Sequence, residues 1–239
     1  MEYLQVYSIP ETEKERIGRR GDGGFVIASL PNNDFYDLYI GAGVYDDNSF
    51  DKSIAVRYPD MPGFLFDEKT NLKRPLWAPQ AFAYVHMNVS CYNTNVSTNL
   101  VPFINNYNNI FMRVKIGGSE WMWLSTLPDT DLNRIKQLVI ELHYLIDYRE
   151  ASPSIKTSVL QRLANMFYLV HVHANNFTSS TTATDGLPYV LQCTYIRKDI
   201  YPMLPFNTTP FPTILDTPNC VGHPDIPLHT WPFCGMKST

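Results

Sequence analysis

The sequence predicts an α/β fold built on a mostly parallel sheet. Three observations carry this. Short apolar, β-branched runs alternate with segments of helical character along most of the 239 residues. A glycine-bearing turn, Tyr39-Ile-Gly-Ala-Gly43, closes the first core run and precedes a helical segment. The run Gln137–Leu142 is almost unbroken apolar around a single charge, Glu141, which suits a strand covered on both faces.

The elements follow in order. Phe25–Ala28 is a short strand or lead-in after the Gly21-Asp22-Gly23-Gly24 turn, and Phe35–Ile40 is the first core strand. A helix over Asn48–Tyr58 is capped by Asn48 or Ser49 and stopped by Pro59. Gly63–Phe66 and Phe82–Val89 are the second and third strands, and Leu100–Tyr107 is a helix with Pro102 in its first turn. Ile110–Ile116 is the fourth strand. A helix opens at Glu120 and is interrupted at Leu127-Pro128-Asp129. Gln137–Leu142 is the fifth strand. Ser152 caps a helix that begins with Pro153 and runs to about Asn165. Phe167–Val172 and Val190–Ile196 are the sixth and seventh strands.

The domain over residues 1–200 is followed by an extension, 201–239, holding eight of the chain's 18 prolines. Prolines at that density forbid long regular elements. Phe206, Phe211, Trp231 and Phe233 are the expected anchors of an ordered wrap over the domain.

Hydrophobic residues make up 44% and charged residues 18%, so the chain folds rather than remaining disordered. A net charge of −4 excludes the basic footprint of a nucleic-acid or anionic-membrane binder. No apolar run is long enough to span a membrane, and the opening residues lack the apolar core of a secretory signal, so a cytoplasmic location is expected. Cys91 and Cys193 are expected as buried thiols, and Cys220 and Cys234 as unpaired in a reducing compartment.

The glycines of Tyr39–Gly43 allow close approach of backbone to a ligand. Asp67 stands 24 residues beyond Gly43 at the end of the next strand, where an acid can accept both ribose hydroxyls of a nucleoside. A third glycine is absent, and Asp46 and Asp47 would repel a pyrophosphate. The pattern therefore favours a nucleoside without phosphates, such as S-adenosylmethionine, over NAD. Asp22 is the one chemical handle of its turn. His143, His171 and His173 fall at strand ends on the same sheet edge. His143 or His173 is the candidate general base, the alternative being that both are hydrogen-bonded supporting residues. A metal held by His143, His173 and Glu120 is not expected, since the spacing matches no compact metal signature. Asn175-Asn176 would orient a polyol or form a turn.

Taken together, these segments resemble the FkbM-type methyltransferases from about Arg16 to Phe233. The matching pieces are Arg16-Ile-Gly with Gly21–Ile27, Tyr39–Gly43 with Ser49-Phe-Asp51, Leu65-Phe-Asp67 and Met112–Trp121 with Leu124. Val139–His143, Leu169–Asn176 and Leu187–Lys198 complete them. The resemblance implies a seven-stranded Rossmann-like class I methyltransferase sheet with its last strand antiparallel. It implies S-adenosylmethionine as cofactor, with Gly41 and Gly43 lining its methionine side and Asp67 holding the ribose; Asp22 is a further candidate cofactor-binding residue. It also implies O-methylation of a sugar or other small hydroxyl substrate; in such a reaction His143, Glu120 or His173 is expected to handle the proton.

The fourth-strand motif of that family reads Lys-hydrophobic-Asp-hydrophobic-Glu-Gly-x-Glu-Trp. Its Asp falls on Lys115 and its first Glu on Gly117, while Gly118, Glu120 and Trp121 match. A Lys115 ammonium about 5 Å from the sulfonium would repel it by roughly 3 kcal/mol. Lys115 could instead turn away to pair with Glu141 or Asp67, or act as a base. The alternative function is an inactive relative that joins a protein partner through its C-terminal extension.

Overall fold

The structure is a computed structural model and describes residues 2–30, 34–44, 47–69, 78–177 and 186–236. The chain opens with a hairpin, β1 (Lys14–Ile17) and β2 (Phe25–Ala28). Next come β3 (Leu38–Ala42), α1 (Ser49–Arg57), β4 (Gly63–Phe66) and β5 (Phe82–Val85). A two-residue pair, β6 (Asn88–Val89) and β7 (Ser97–Thr98), and one helical turn, α2 (Val101–Ile104), lead into β8 (Ile110–Val114). The chain continues through α3 (Glu120–Thr126), α4 (Asp129–Leu132), β9 (Ile135–Leu142), α5 (Pro153–Met166), β10 (Phe167–Ala174) and β11 (Leu191–Arg197).

Seven of these strands form one sheet in the order β10-β11-β9-β8-β3-β4-β5. β3, β4, β5, β8 and β9 are mutually parallel, and β11 lies antiparallel between β9 and β10. This is the Rossmann-like methyltransferase arrangement expected from the sequence, including the inserted antiparallel last strand. The chain runs outward from β3 to β5 and then returns to β8 on the other side of β3. The strand order therefore reverses between β3 and β8, the kind of crevice in which open α/β sheets bind ligands.

Alternation along the strands divides the core. Leu138, Ile140 and Leu142 of β9 pack on the face covered by α3 and α5, with Trp121, Trp123, Val159 and Leu163. Val139 faces the other layer, with Phe25 of the hairpin and Phe50 of α1. Two buried polar side chains attach the hairpin to the sheet. Gln137 accepts the Ala28 N–H at 2.7 Å and donates to its carbonyl, and the Thr194 hydroxyl donates to Val26 O. They satisfy backbone groups that burial would otherwise leave unpaired.

Several boundaries differ from the sequence expectation. The first core strand starts at Leu38 and carries Gly41 and Ala42 inside it, because both pair with β4 and β8. The third strand breaks after Val85, and Asn88–Val89 pairs with Ser97–Thr98 instead of the main sheet. The helix expected over Leu100–Tyr107 is a single turn. α5 begins as expected, with the Ser152 hydroxyl accepting the Ile155 N–H and Pro153 at the first position. Cys193 is buried, Cys91 is half-buried in the turn between β6 and β7, and Cys220 and Cys234 are free thiols. Asp46, assigned above to repelling a pyrophosphate, lies outside the described residues. Asp47 is ion-paired with Arg19.

Beyond Tyr201 the chain has little regular structure but is densely anchored. Phe211, Leu228 and Phe233 are buried, whereas Phe206 is 44% exposed and packs its ring against Tyr7. Asn207 donates to Thr209 O and Phe233 O. Asp216 and Asp225 fix the extension to the sheet through His171 and His173, each at 2.9 Å.

Candidate functional site

The carboxyl ends of β3, β4, β8 and β9 deliver Gly43, Asp67, Lys115 and His143 to one edge. Gly43 has φ of +75°, and a Cβ there would collide with the Lys115 carbonyl oxygen. Only glycine allows this approach of the β3 loop to the β8 loop. The loop is pinned on three sides. The Gly43 N–H donates to Phe66 O, its carbonyl accepts from Arg113 Nη1, and the Lys115 N–H donates to Ala42 O, at 2.9, 2.9 and 3.0 Å.

Gly41 has a different task. A Cβ there would strike the Asp51 carboxylate and Leu65. Asp51 is fully buried, accepts the Tyr39 hydroxyl at 2.6 Å and faces Arg113 at 3.9 Å. Burial raises the Asp51 carboxyl against the opposing pull of Arg113 and Tyr39. Gly41 thus makes room for a buried Tyr39–Asp51–Arg113 cluster, and Arg113 in turn holds the Gly43 loop. Neither Gly41 nor Arg113 is in the lining of the two clefts at this edge.

Two clefts meet at this edge. The first, about 390 Å³, is lined by Gly43, Phe66, Asp67, Val89, Ile116 and Ser119 among others. The second, about 590 Å³, is lined by Arg20, Asp22, Glu141, His143, Asn175 and Phe177 among others. Lys115 lines both. Both volumes fall within the roughly 300–1,000 Å³ of small-molecule sites.

The first cleft combines an acid, apolar walls and a glycine bend. Asp67 follows β4 directly, and one of its oxygens is turned by the Lys69 N–H at 3.1 Å. Phe66, Val89 and Ile116 supply apolar walls for a base. The Gly43 bend leaves no side chain between the loop and the ligand. An acid on one side and a bend free of side chains on the other thus bound this cleft.

A chain of alternating charge floors the second cleft. Lys115 Nζ lies 2.6 Å from Asp22 Oδ2 and 3.6 Å from Glu141 Oε2. Glu141 Oε2 lies 3.2 Å from His143 Nε2, and His143 Nδ1 lies 3.1 Å from Glu120 Oε1. Glu120 also accepts the His143 and Gly118 N–H groups at 2.6 and 2.8 Å. Asn175 donates to Glu141 and Asp22, Gln192 to Glu141, and Asn219 to Asp22. Three carboxylates against two cations leave this chain at −1, a sign that favours a sulfonium. The repulsion expected from Lys115 is offset by its two partners.

Burial alone would raise the Glu141 carboxyl. Hydrogen bonding to His143 and the charges of Lys115 and His143 outweigh it and hold the group at about 2. Burial likewise opposes the His143 charge, yet its hydrogen bonds to Glu120 and Glu141 raise it to about 10. Geometry agrees with this direction: Nδ1 hydrogen-bonds Glu120 Oε1 and Nε2 lies 3.2 Å from Glu141 Oε2, so both ring nitrogens face carboxylates, as suits an imidazolium.

The site residues expected from the sequence are thus distributed over several places. Gly43 and Asp67 share the first cleft. Asp22 stands in the second cleft, holding Lys115. His143 and Glu120 are in contact, but His143 is positioned as a cation, not as a neutral base. His173 lies outside both clefts, with Nε2 on Asp225 and Nδ1 near Gln192 Oε1. His171 is also buried and pairs with Asp216; burial lowers it despite that partner. Lys115 pairs with Glu141, one of its two foreseen partners, and with Asp22, which was not foreseen. Glu141, Gln192 and Arg113 were not singled out as site residues. The signal for Glu141 and Arg113 was a lone charge inside an apolar strand.

No protein-family model matches the chain, and no curated protein matches it. Among solved structures, the methyltransferase CalO6 aligns over 71% of this chain and 61% of its own length, at 10% identity and a TM-score of 0.33. That distance carries no argument about chemistry, and the fold assignment rests on the strand order itself.

Proposed function

We propose that the protein is an S-adenosylmethionine-dependent O-methyltransferase, with cofactor in the first cleft and acceptor in the second. The observation that carries this reading is the junction. Gly43 and Asp67 offer a nucleoside site, the neighbouring cleft offers a polar floor, and Lys115 lines both. The cofactor supplies an activated methyl group. The chain's own residues bind and orient, which is the larger part of catalysis for an in-line transfer. Asp67 receives the ribose, the Gly43 bend admits the methionine end, and Asp22 and Glu141 neutralise Lys115 so that a sulfonium is tolerated nearby.

The competing reading, an inactive relative with a structural role, would be supported by a first cleft filled by side chains. The open cleft with Asp67 in its wall favours the enzyme. Ultraviolet cross-linking of methyl-labelled S-adenosylmethionine, followed by peptide mapping, tests this. Label is expected on the peptides carrying Gly43, Asp67 or Lys115. A folded protein that takes no label, or takes it only elsewhere, overturns the proposal.

A further inference from the structure

Among the described residues, the second cleft is poor in groups that could take a proton. Both His143 ring nitrogens are committed to carboxylates. Glu141 Oε1 already accepts from Asn175 and Gln192, while Oε2 is buried without a hydrogen-bond partner, 3.6 Å from Lys115 Nζ and 3.2 Å from His143 Nε2, and these cations hold the carboxyl at about 2, which makes it a weak base. The two Asp22 oxygens accept from Lys115, Asn175 and Asn219. Glu120 is fully buried and accepts from His143 and Gly118. Methylation of an alcohol must release the hydroxyl proton, and among the described carboxylate oxygens lining this cleft only the weakly basic Glu141 Oε2 lacks a hydrogen-bond partner to receive it.

Donors, in contrast, are available. Lys115 Nζ carries three N–H groups and faces two carboxylates, which leaves one at the junction of the clefts. Arg20 lines the mouth of the second cleft and has no ion-pair partner among the described residues, whereas neighbouring Arg19 is paired with Asp47. The floor carries −1. Adding Arg20 and a bound sulfonium brings the sum to +1, which one anion cancels. The same cleft also has apolar lining: Val190 is buried, and Phe177 and Val221 stand 63% and 89% exposed.

We propose that the second cleft binds a small carboxylic acid with an apolar body, and that its carboxylate, held by Lys115 and Arg20, is the methyl acceptor. This deepens the methyltransferase reading and rests on it. A carboxylate oxygen attacks the methyl carbon. The O–C bond forms as the C–S bond breaks, and the bonding pair passes to sulfur. A cation and an anion become a neutral sulfide and a neutral methyl ester, and no proton moves. Lys115, where the resembling family has an acid, then determines acceptor class.

The test titrates benzoate and benzyl alcohol into the full chain, followed by NMR, with and without S-adenosylhomocysteine. Benzoate should bind at least about tenfold more tightly than benzyl alcohol, a gap of about 1.4 kcal/mol. Lys115→Met should remove that preference, and Lys115→Arg should keep most of it. If Lys115→Met does not fold, Arg20→Gln at the exposed rim should weaken benzoate several-fold and leave benzyl alcohol unchanged. Equal binding of the two probes, or a preference insensitive to folded Lys115→Met, overturns the inference. Binding of S-adenosylhomocysteine without a benzoate preference removes the carboxylate acceptor but keeps the methyltransferase. A Lys115-dependent benzoate preference without S-adenosylhomocysteine binding does the reverse.

Discussion

Lys115 Nζ lies 2.6 Å from Asp22 Oδ2, joining the end of β8 to the turn of the β1–β2 hairpin across 93 residues of sequence. This contact ties a peripheral hairpin to the centre of the sheet edge. It also places a cation where the two clefts meet without leaving its charge unbalanced. Glu141 is the second counter-charge, and it links Lys115 to His143.

Glu141→Gln removes the carboxylate between these two cations. Taking one partner from a buried charged network leaves the others uncompensated, so a loss of about 3 kcal/mol in unfolding free energy is expected. Urea denaturation of wild type and variant measures it. A change within about 0.5 kcal/mol would show that Glu141 does not hold the network together.

His143 and Glu141 set opposite pH dependences. The imidazole ordinarily titrates near 6.5 and is raised to about 10 in the fold. Its contribution is therefore complete below 6.5 and is lost as pH rises toward 10. Glu141 is lowered from 4.5 to about 2, so its contribution is present above 4.5 and is lost as pH falls toward 2. The melting temperature of wild type should decline from pH 6.5 to about 10 more steeply than that of His143→Gln. Parallel curves would contradict the imidazolium assignment.

Gly43 and Gly117 both have positive φ but differ in surroundings. A Cβ at Gly43 meets the Lys115 carbonyl, whereas one at Gly117 meets nothing within 4 Å. Gly117→Ala should cost about 1 kcal/mol from backbone conformation alone. Gly43→Ala should cost more than about 2 kcal/mol, because the β3 and β8 loops must also separate. Equal costs in chemical denaturation would show that the Gly43 approach is not needed.

The extension depends on buried histidine–aspartate pairs. Asp225→Asn weakens the bond to His173 Nε2, so cleavage between residues 201 and 236 by a dilute protease should accelerate about tenfold while the sheet stays folded. Mass spectrometry of the fragments reads this out. Unchanged cleavage would place the anchoring elsewhere, in Phe211, Leu228 and Phe233.

The sequence exposed the sheet more fully than the site, for physical reasons. Strands such as Ile135–Leu142 and Phe167–Ala174 are buried along their whole length and announce themselves as apolar runs. The bend at Gly43 and the place of Asp67 just after β4 were legible because a tight turn and a strand-end acid have local signatures. The partnership of Lys115 with Asp22 has none, since it depends on where the hairpin docks. His173 resembled a base from its place at a strand end. Asp225, 52 residues later, makes it an anchor. Gly41 looked like a ligand contact because the glycine pattern does not distinguish room for a ligand from room for the buried Asp51.

The central claim, a nucleoside cofactor site closed by Asp67, is tested most directly by calorimetric titration of S-adenosylhomocysteine into wild type and Asp67→Asn. Micromolar binding is expected, weakened about tenfold or more by the substitution, as loss of hydrogen bonds to a charged acceptor requires, with no change in folded stability. A folded wild type that gives no binding heat, or that binds equally well as Asp67→Asn, would contradict the account.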